Sequence, residues 1–221
     1  MKTNLPIGVL VSGSGSNLQS IIDHIESGKL DAVIKVVISN SPEVYARERC
    51  RLHNIPFVVV DHRDYPLRDA FDQQMIEVLQ SRGVELVVMA GFMRILTPRF
   101  LSSFPMRILN IHPALLPAFP GLHVQRKAVE YGVRFSGCTV HFADDGVDTG
   151  PIIIQSVVPV YEDDDENTLG QRILREEHKI YPQAIQWYVE GRLEVIGRKV
   201  YLKRSEALTN TPQCNPSLTI R

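Results

Sequence analysis

Two polar side chains one residue apart, Asn110 and His112, close the otherwise apolar run Ile108–His112 (ILNIH). In an extended chain they project to the same side. Pro113 holds His112 in an extended conformation, and Ala114–Gly121 (ALLPAFPG) continues as a stiff, proline-rich loop. A carboxylate beside an imidazole favours the imidazolium, and Asp148, in the later loop ADDGVDTGP (143–151), is the candidate partner. Asp144 and Asp145 of that loop read equally as solvated turn formers. An amide, an imidazolium and a carboxylate suit direct acyl transfer. An amine attacks a carbonyl, the Asn amide and the imidazolium stabilise the oxyanion, and proton transfers complete the step. The competing reading is a hydrogen-bonded core histidine with an asparagine satisfying a turn. No Ser or Cys stands in a nucleophile elbow, and Cys138, inside GCTVHF, reads as packing. His123, His141 and His178 have no zinc spacing, so no metal is expected.

A second constellation is Ser12-Gly13-Ser14-Gly15-Ser16-Asn17, between an apolar run and a helical pattern. Glycines let a ligand approach the backbone, and a helix N-terminus offers N–H groups and partial positive charge. This is an anion site, most naturally for phosphate. A P-loop would end in Gly-Lys-Ser/Thr, and there is no lysine here. A dinucleotide fingerprint needs a third glycine where Leu18 stands, and an acid where Ser39-Asn40 stand. A monophosphate is therefore favoured over a nucleoside triphosphate or NAD. The competing reading is a tight strand–helix turn capped by Ser or Asn.

The elements that must position these groups alternate. Strand-like runs occupy 7–12, 32–39, 56–60, 86–90 and 108–112. Helical spacing occupies 17–27, 45–54, 67–82, 98–104 (Thr97 as N-cap, Pro98 in the first turn) and 124–131. Near-continuously apolar strands alternating with helices predict an α/β fold. It is three-layered, with a mostly parallel twisted sheet and helices on both faces. Strands 137–142 and 152–160 have no helix between them and predict an antiparallel C-terminal addition. A helix over 168–190 is expected to kink or break at Pro182. Residues 193–202 predict a hairpin turning at Gly197–Arg198. Residues 1–203 read as a single domain and 204–221 as a flexible tail.

The chain has 221 residues, 24 basic and 25 acidic, for a net charge of −1, and is 44 % hydrophobic. That composition excludes extended disorder and argues against a nucleic-acid-binding or membrane-surface protein. The longest apolar run, Leu86 to Met93, is eight residues, far short of the ~18–20 that a membrane helix needs. The first residues do not read as a signal peptide. Cys50, Cys138 and Cys214 are odd in number and far apart, which favours a reduced, cytoplasmic setting.

Five motifs occur in one order: the Gly-Ser-Asn loop, Ala90–Leu96 (AGFMRIL), Asn110-Ile111-His112-Pro113 with Leu115-Leu116-Pro117, Pro120–His123 (PGLH), and Asp148-Thr149-Gly150-Pro151. Together they closely resemble the phosphoribosylglycinamide formyltransferases, a folate-dependent family of purine synthesis in the wider formyltransferase superfamily. The resemblance spans residues 5–192 and implies a Rossmann-like formyltransferase fold. Its N-terminal half would bind the phosphate substrate and its C-terminal half would carry folate binding and catalysis. It implies transfer of a formyl group from 10-formyltetrahydrofolate, the co-substrate, to the amine of 5′-phosphoribosylglycinamide, by a monomer or homodimer. Gly15, Ser16 and Asn17 then bind the 5-phosphate, and Glu177 the ribose. Asn110, His112 and Asp148 form the catalytic trio. Arg68, Met93, Arg94, Ile95, Leu96, Asn110 and Asp144 bind folate. Arg68 reads otherwise as a solvated helix residue, and Glu177 as a surface glutamate easily confused with Glu176. Two positions depart from the usual pattern: Ser14, where asparagine is commoner, and Thr149, where glycine is. The rival readings are a formyltetrahydrofolate deformylase, a methionyl-tRNA formyltransferase and a non-catalytic phosphate-metabolite-binding protein. The deformylase would need a regulatory domain ahead of a first strand that begins by residue 7. The tRNA enzyme would need a basic additional domain.

Overall fold

The computed structural model describes residues 4–203 and a two-residue strand at 214–215. The chain forms two compact units, Met1–Asn110 and Ile111–Arg221.

In the first unit, β1 (Leu5–Val11), β2 (Ala32–Ser39), β3 (Phe57–Val59), β4 (Leu86–Met89) and β5 (Ile108–His112, crossing the division) alternate with helices. These are α1 (Ser16–Glu26), α2 (Ala46–Leu52), α3 (Arg68–Ser81) and α4 (Pro98–Ser103). The strands pair in parallel in the order β3-β2-β1-β4-β5. The winding runs outward from β1 both ways. Right-handed crossovers therefore put α1 and α2 on one face and α3 and α4 on the other. That explains the unbroken apolar strands: Ile7, Val9, Leu10 and Val11 of β1 are fully buried because helices cover both sides. Leu18, Ile21 and Ile22 of α1, and Phe71, Met75, Ile76 and Leu79 of α3, are the buried stripes that cover them. Gly8 lets β1 run close beneath α3, since a Cβ there would lie 2.4 Å from a Leu79 methyl.

In the second unit, α5 (Val124–Tyr131) precedes β6 (Phe135–Phe142), which pairs antiparallel with β7 (Ile152–Pro159). The hairpin β8 (Leu193–Ile196) and β9 (Lys199–Leu202) turns at Gly197–Arg198 as expected, and β9 joins β7 in parallel. Of the segment read as a flexible tail, only β10 (Cys214–Asn215), antiparallel to β7, is among the described residues. The rest of 204–221 lies outside them. The helix α6 (Glu166–Val189) corrects the expected break: it continues through Pro182. A proline inside a helix forfeits one hydrogen bond and crowds the preceding turn. Here every residue from Ile180 to Trp187 is buried, and that apolar packing offsets the loss. The helix also starts two residues before Thr168, because Asp165 and Thr168 form a capping box. Among the described residues no helix is long and apolar enough to cross a membrane.

Candidate active site

In an open parallel sheet, ligands bind beyond the carboxyl ends of the strands where the winding reverses, here between β1 and β4. The glycine loop leaves β1 at that point. Gly15 is the residue before α1 and has φ of 69°, a conformation that costs any residue with a Cβ. A Cβ there would also lie 2.8 Å from Ala46 Cβ. The N-cap position itself is this glycine, which brings no side chain to the first turn. Ser14 is exposed, Ser16 half-buried and Asn17 buried. The loop is braced from α2: Ala46 N–H donates to the Gly13 carbonyl at 3.3 Å, and Arg49 Nε donates to the Ser14 carbonyl at 2.9 Å. Ser39 and Asn40, standing where a dinucleotide site would need an acid, are buried and hydrogen-bonded inside this unit.

The Met93–Leu96 segment follows β4. Met93 is 64 % and Ile95 55 % exposed, while Leu96 is buried. Arg68, the first residue of α3, donates to the Ile95 carbonyl at 2.6 Å, so it is tied to this segment rather than simply solvated. The Arg94 guanidinium lies over the Phe71 ring, 5.4 Å from its centroid. The far end is held by buried Asp72, which accepts from Thr97 N–H at 2.7 Å. Burial raises the Asp72 carboxyl above its ordinary value, against that hydrogen bond. Asn110, half-buried on β5, is in register with Met89 at the end of β4.

In the second unit, His112 is buried and meets two acceptors. Its Nε2 is 2.9 Å from the Phe119 carbonyl and its Nδ1 is 3.3 Å from Asp148 Oδ2. A carbonyl only accepts, so Nε2 carries a proton. The other ring nitrogen, Nδ1, faces the carboxylate. Asp148 has φ of 56°, the left-handed region that Asp tolerates better than most residues, and it also accepts from Gly121 N–H at 2.9 Å. The proline loop is held in place by buried Thr139, whose hydroxyl donates to the Ala114 carbonyl at 2.7 Å and accepts from Leu116 N–H at 3.1 Å. Gln155 donates to the Leu116 carbonyl at 2.9 Å.

His141 enters the site although its spacing suggested nothing beyond a failed zinc pattern. Its Nε2 is 3.8 Å from Asp148 Oδ1, and its Nδ1 donates to the Phe142 carbonyl at 2.8 Å. The register between β6 and β7 shifts between Val140 and His141, the kind of irregularity that re-aims a side chain. Burial lowers the His141 pKa more than Phe142 and Asp148 restore it. The visible signal was that Thr139 and His141 alternate as polar residues in an apolar strand.

Asp144 accepts from Gly146 N–H at 3.2 Å and from the Thr149 hydroxyl at 2.6 Å, so its Oδ1 braces its own loop. Glu177 is buried, not a surface glutamate. Its neighbour Glu176 is engaged by Lys179 at 2.7 Å and the Ser156 hydroxyl at 3.1 Å, which separates the two.

Residues 5–185 match the family described as Formyl transferase. The chain belongs to the formyl transferase family. Within it, the chain is 42 % identical over 189 residues to phosphoribosylglycinamide formyltransferase from Escherichia coli, covering 86 % of this chain and 89 % of that protein. Glycinamide ribonucleotide transformylase 1 from Symbiobacterium toebii superposes with a TM-score of 0.90 at 50 % identity, over 92 % of this chain and 96 % of that one. The trifunctional purine biosynthetic protein adenosine-3 of Drosophila melanogaster is 46 % identical over 187 residues, which is 84 % of this chain. The chain spans 14 % of the length of that relative.

Proposed function

We propose that the protein transfers the formyl group of 10-formyltetrahydrofolate to the amine of 5′-phosphoribosylglycinamide, a step of purine biosynthesis. The observation that carries this reading is His112, held between the Phe119 carbonyl and Asp148, because it supplies an imidazole N–H of fixed orientation. The amine lone pair adds to the formyl carbon, and the carbonyl electrons move to oxygen. Asn110 donates to that oxyanion, where preorganised donors act most strongly, and His112 Nε2–H exchanges the Phe119 carbonyl for it once the formyl group is bound. The nitrogen that attacked loses a proton. The tetrahedral intermediate then collapses, and tetrahydrofolate leaves with a proton on its N10. Asp148 orients the His112 ring through Nδ1.

Gly15, Ser16 and Asn17 take the 5-phosphate through loop and helix N–H groups, and Glu177 takes the ribose hydroxyls. Arg68, the Met93–Leu96 segment, Asn110 and Asp144 hold the folate. The enzyme works on small molecules as a monomer or homodimer. A cytoplasmic setting suits its buried thiols, Cys50 and Cys138; burial pushes the Cys50 thiol up to about 11, which keeps it unreactive.

A spectrophotometric assay with a 10-formylfolate donor, run with and without phosphoribosylglycinamide, tests the reading. Folate release only with the amine present is the expected result. Equal release without it means a hydrolase, and no release in either case means a binding protein.

A further inference from the structure

We propose that the Ser12 hydroxyl is a positioning group that couples the two substrate sites, by tying the phosphate loop to the Met93–Leu96 segment. This rests on the assignment of those segments to phosphate and folate made above. Ser12 stands between the last residue of β1 and Gly13. Gly91 and Met93 follow the neighbouring strand β4, at the reversal of the sheet's winding. The Ser12 backbone N–H donates to the Gly91 carbonyl at 3.1 Å. Its hydroxyl accepts from Met93 N–H at 2.8 Å and donates to Asn40 Oδ1 at 2.6 Å. A hydroxyl has one proton, so the direction is set: donation goes to Asn40, and a lone pair receives Met93. Asn40 is itself buried at the end of β2, and its carbonyl lies 3.0 Å from His62 Nδ1. One oxygen therefore joins the ends of three adjacent parallel strands.

On one side of that oxygen, the chain passes directly into Gly13, Ser14 and Gly15. The contacts of Gly13 and Ser14 with Ala46 and Arg49 transmit any shift of the loop into α2. On the other side, Met93 N–H opens a segment that is half open to solvent and is otherwise held by Arg68 and Asp72. Ordering either segment by a ligand fixes Ser12 and lowers what the other ligand must order. The coupling is reciprocal: each ligand tightens the other by the same factor.

Titration calorimetry of the full chain measures this directly. Phosphoribosylglycinamide is titrated in the absence and presence of saturating tetrahydrofolate, which cannot donate a formyl group. In the wild type its Kd is expected to fall by about fivefold or more when tetrahydrofolate is bound. Ser12→Ala is expected to bring that ratio close to one while both ligands still bind, and Ser12→Thr, which keeps the hydroxyl, to preserve it. A ratio of one in the wild type overturns the inference, and so does an undiminished ratio in Ser12→Ala. Asn40→Ala removes the acceptor that orients the hydroxyl. It serves where Ser12→Ala does not fold, with the same loss expected and an unchanged ratio equally fatal. A simple packing role for Ser12 would weaken both ligands without altering the ratio. Failure of phosphoribosylglycinamide to bind the wild type at all overturns the proposed function, and this inference with it.

Discussion

His112 Nδ1 stands 3.3 Å from Asp148 Oδ2, with the opposite ring nitrogen 2.9 Å from the Phe119 carbonyl. The ring is thus oriented at both ends, and the carboxylate is the only one of the two partners that carries charge. Asp148→Asn keeps the shape and an acceptor for Gly121 N–H but removes that charge. It is expected to lower kcat by about 10²–10⁴-fold, the range for a positioned acid–base group, with little change in KM for phosphoribosylglycinamide. His112→Ala is expected to fall in the same range. Steady-state kinetics decides the matter: near wild-type kcat in either variant removes the mechanism.

Asp148 has a second histidine neighbour, and the two differ. His141 is buried and its pKa lies below the ordinary 6.5, chiefly through desolvation. The unfolded chain therefore binds a proton in a window, below about 6.5, where the folded chain does not. Stability rises with pH through that window and is lost as pH falls through it. Urea unfolding at pH 7.5 and pH 5 should show lower stability at pH 5, and His141→Asn should flatten the difference. An equally steep loss in His141→Asn would assign the acid sensitivity to another group.

The fold was largely legible because its signals are local. β2, β5 and α5 occupy the spans their apolar patterns predict. The glycine loop and the Asn-x-His pair announce themselves by residue type. Pro182 misleads because tertiary burial, invisible to a local rule, outweighs one lost hydrogen bond. The contacts that complete the site were hidden for a different reason. Ser12 and Met93 are 81 residues apart, and Arg68 and Ile95 are 27 apart. His141 and Asp148 lie close in the chain, but His141 sits at a register shift that no sequence pattern encodes. Ordinary residue types joined across strands carry no signature until the sheet order is known.

Gly15 and Gly28 both have positive φ, 69° and 70°, but only Gly15 is crowded: a Cβ there meets Ala46 at 2.8 Å, whereas at Gly28 nothing lies within 4 Å. The pair separates backbone strain from close approach. Gly28→Ala is expected to cost about 1 kcal/mol from the left-handed conformation alone. Gly15→Ala is expected to cost about 2 kcal/mol or more and to raise KM for phosphoribosylglycinamide, because the loop must move away from α2. Denaturant unfolding and kinetics on both variants check this. Equal behaviour would mean that the approach of α2 to the loop has no bearing on phosphate binding.

Arg68 presents a cleaner separation of the two substrates, since its one described hydrogen bond runs to the Ile95 carbonyl, on the segment assigned to folate. A hydrogen bond from a charged donor contributes about 1.5–3 kcal/mol, which corresponds to roughly 10–100-fold in an equilibrium constant. Arg68→Ala is therefore expected to raise KM for the 10-formylfolate donor about tenfold, with KM for phosphoribosylglycinamide unchanged and kcat at saturating donor nearly preserved. Arg68→Lys keeps the charge but loses the planar fork, and should recover only part of the loss. A parallel rise in both KM values would place Arg68 among the residues that support the first unit as a whole. A rise confined to the donor would separate the Met93–Leu96 segment from the phosphate loop as the part that holds folate.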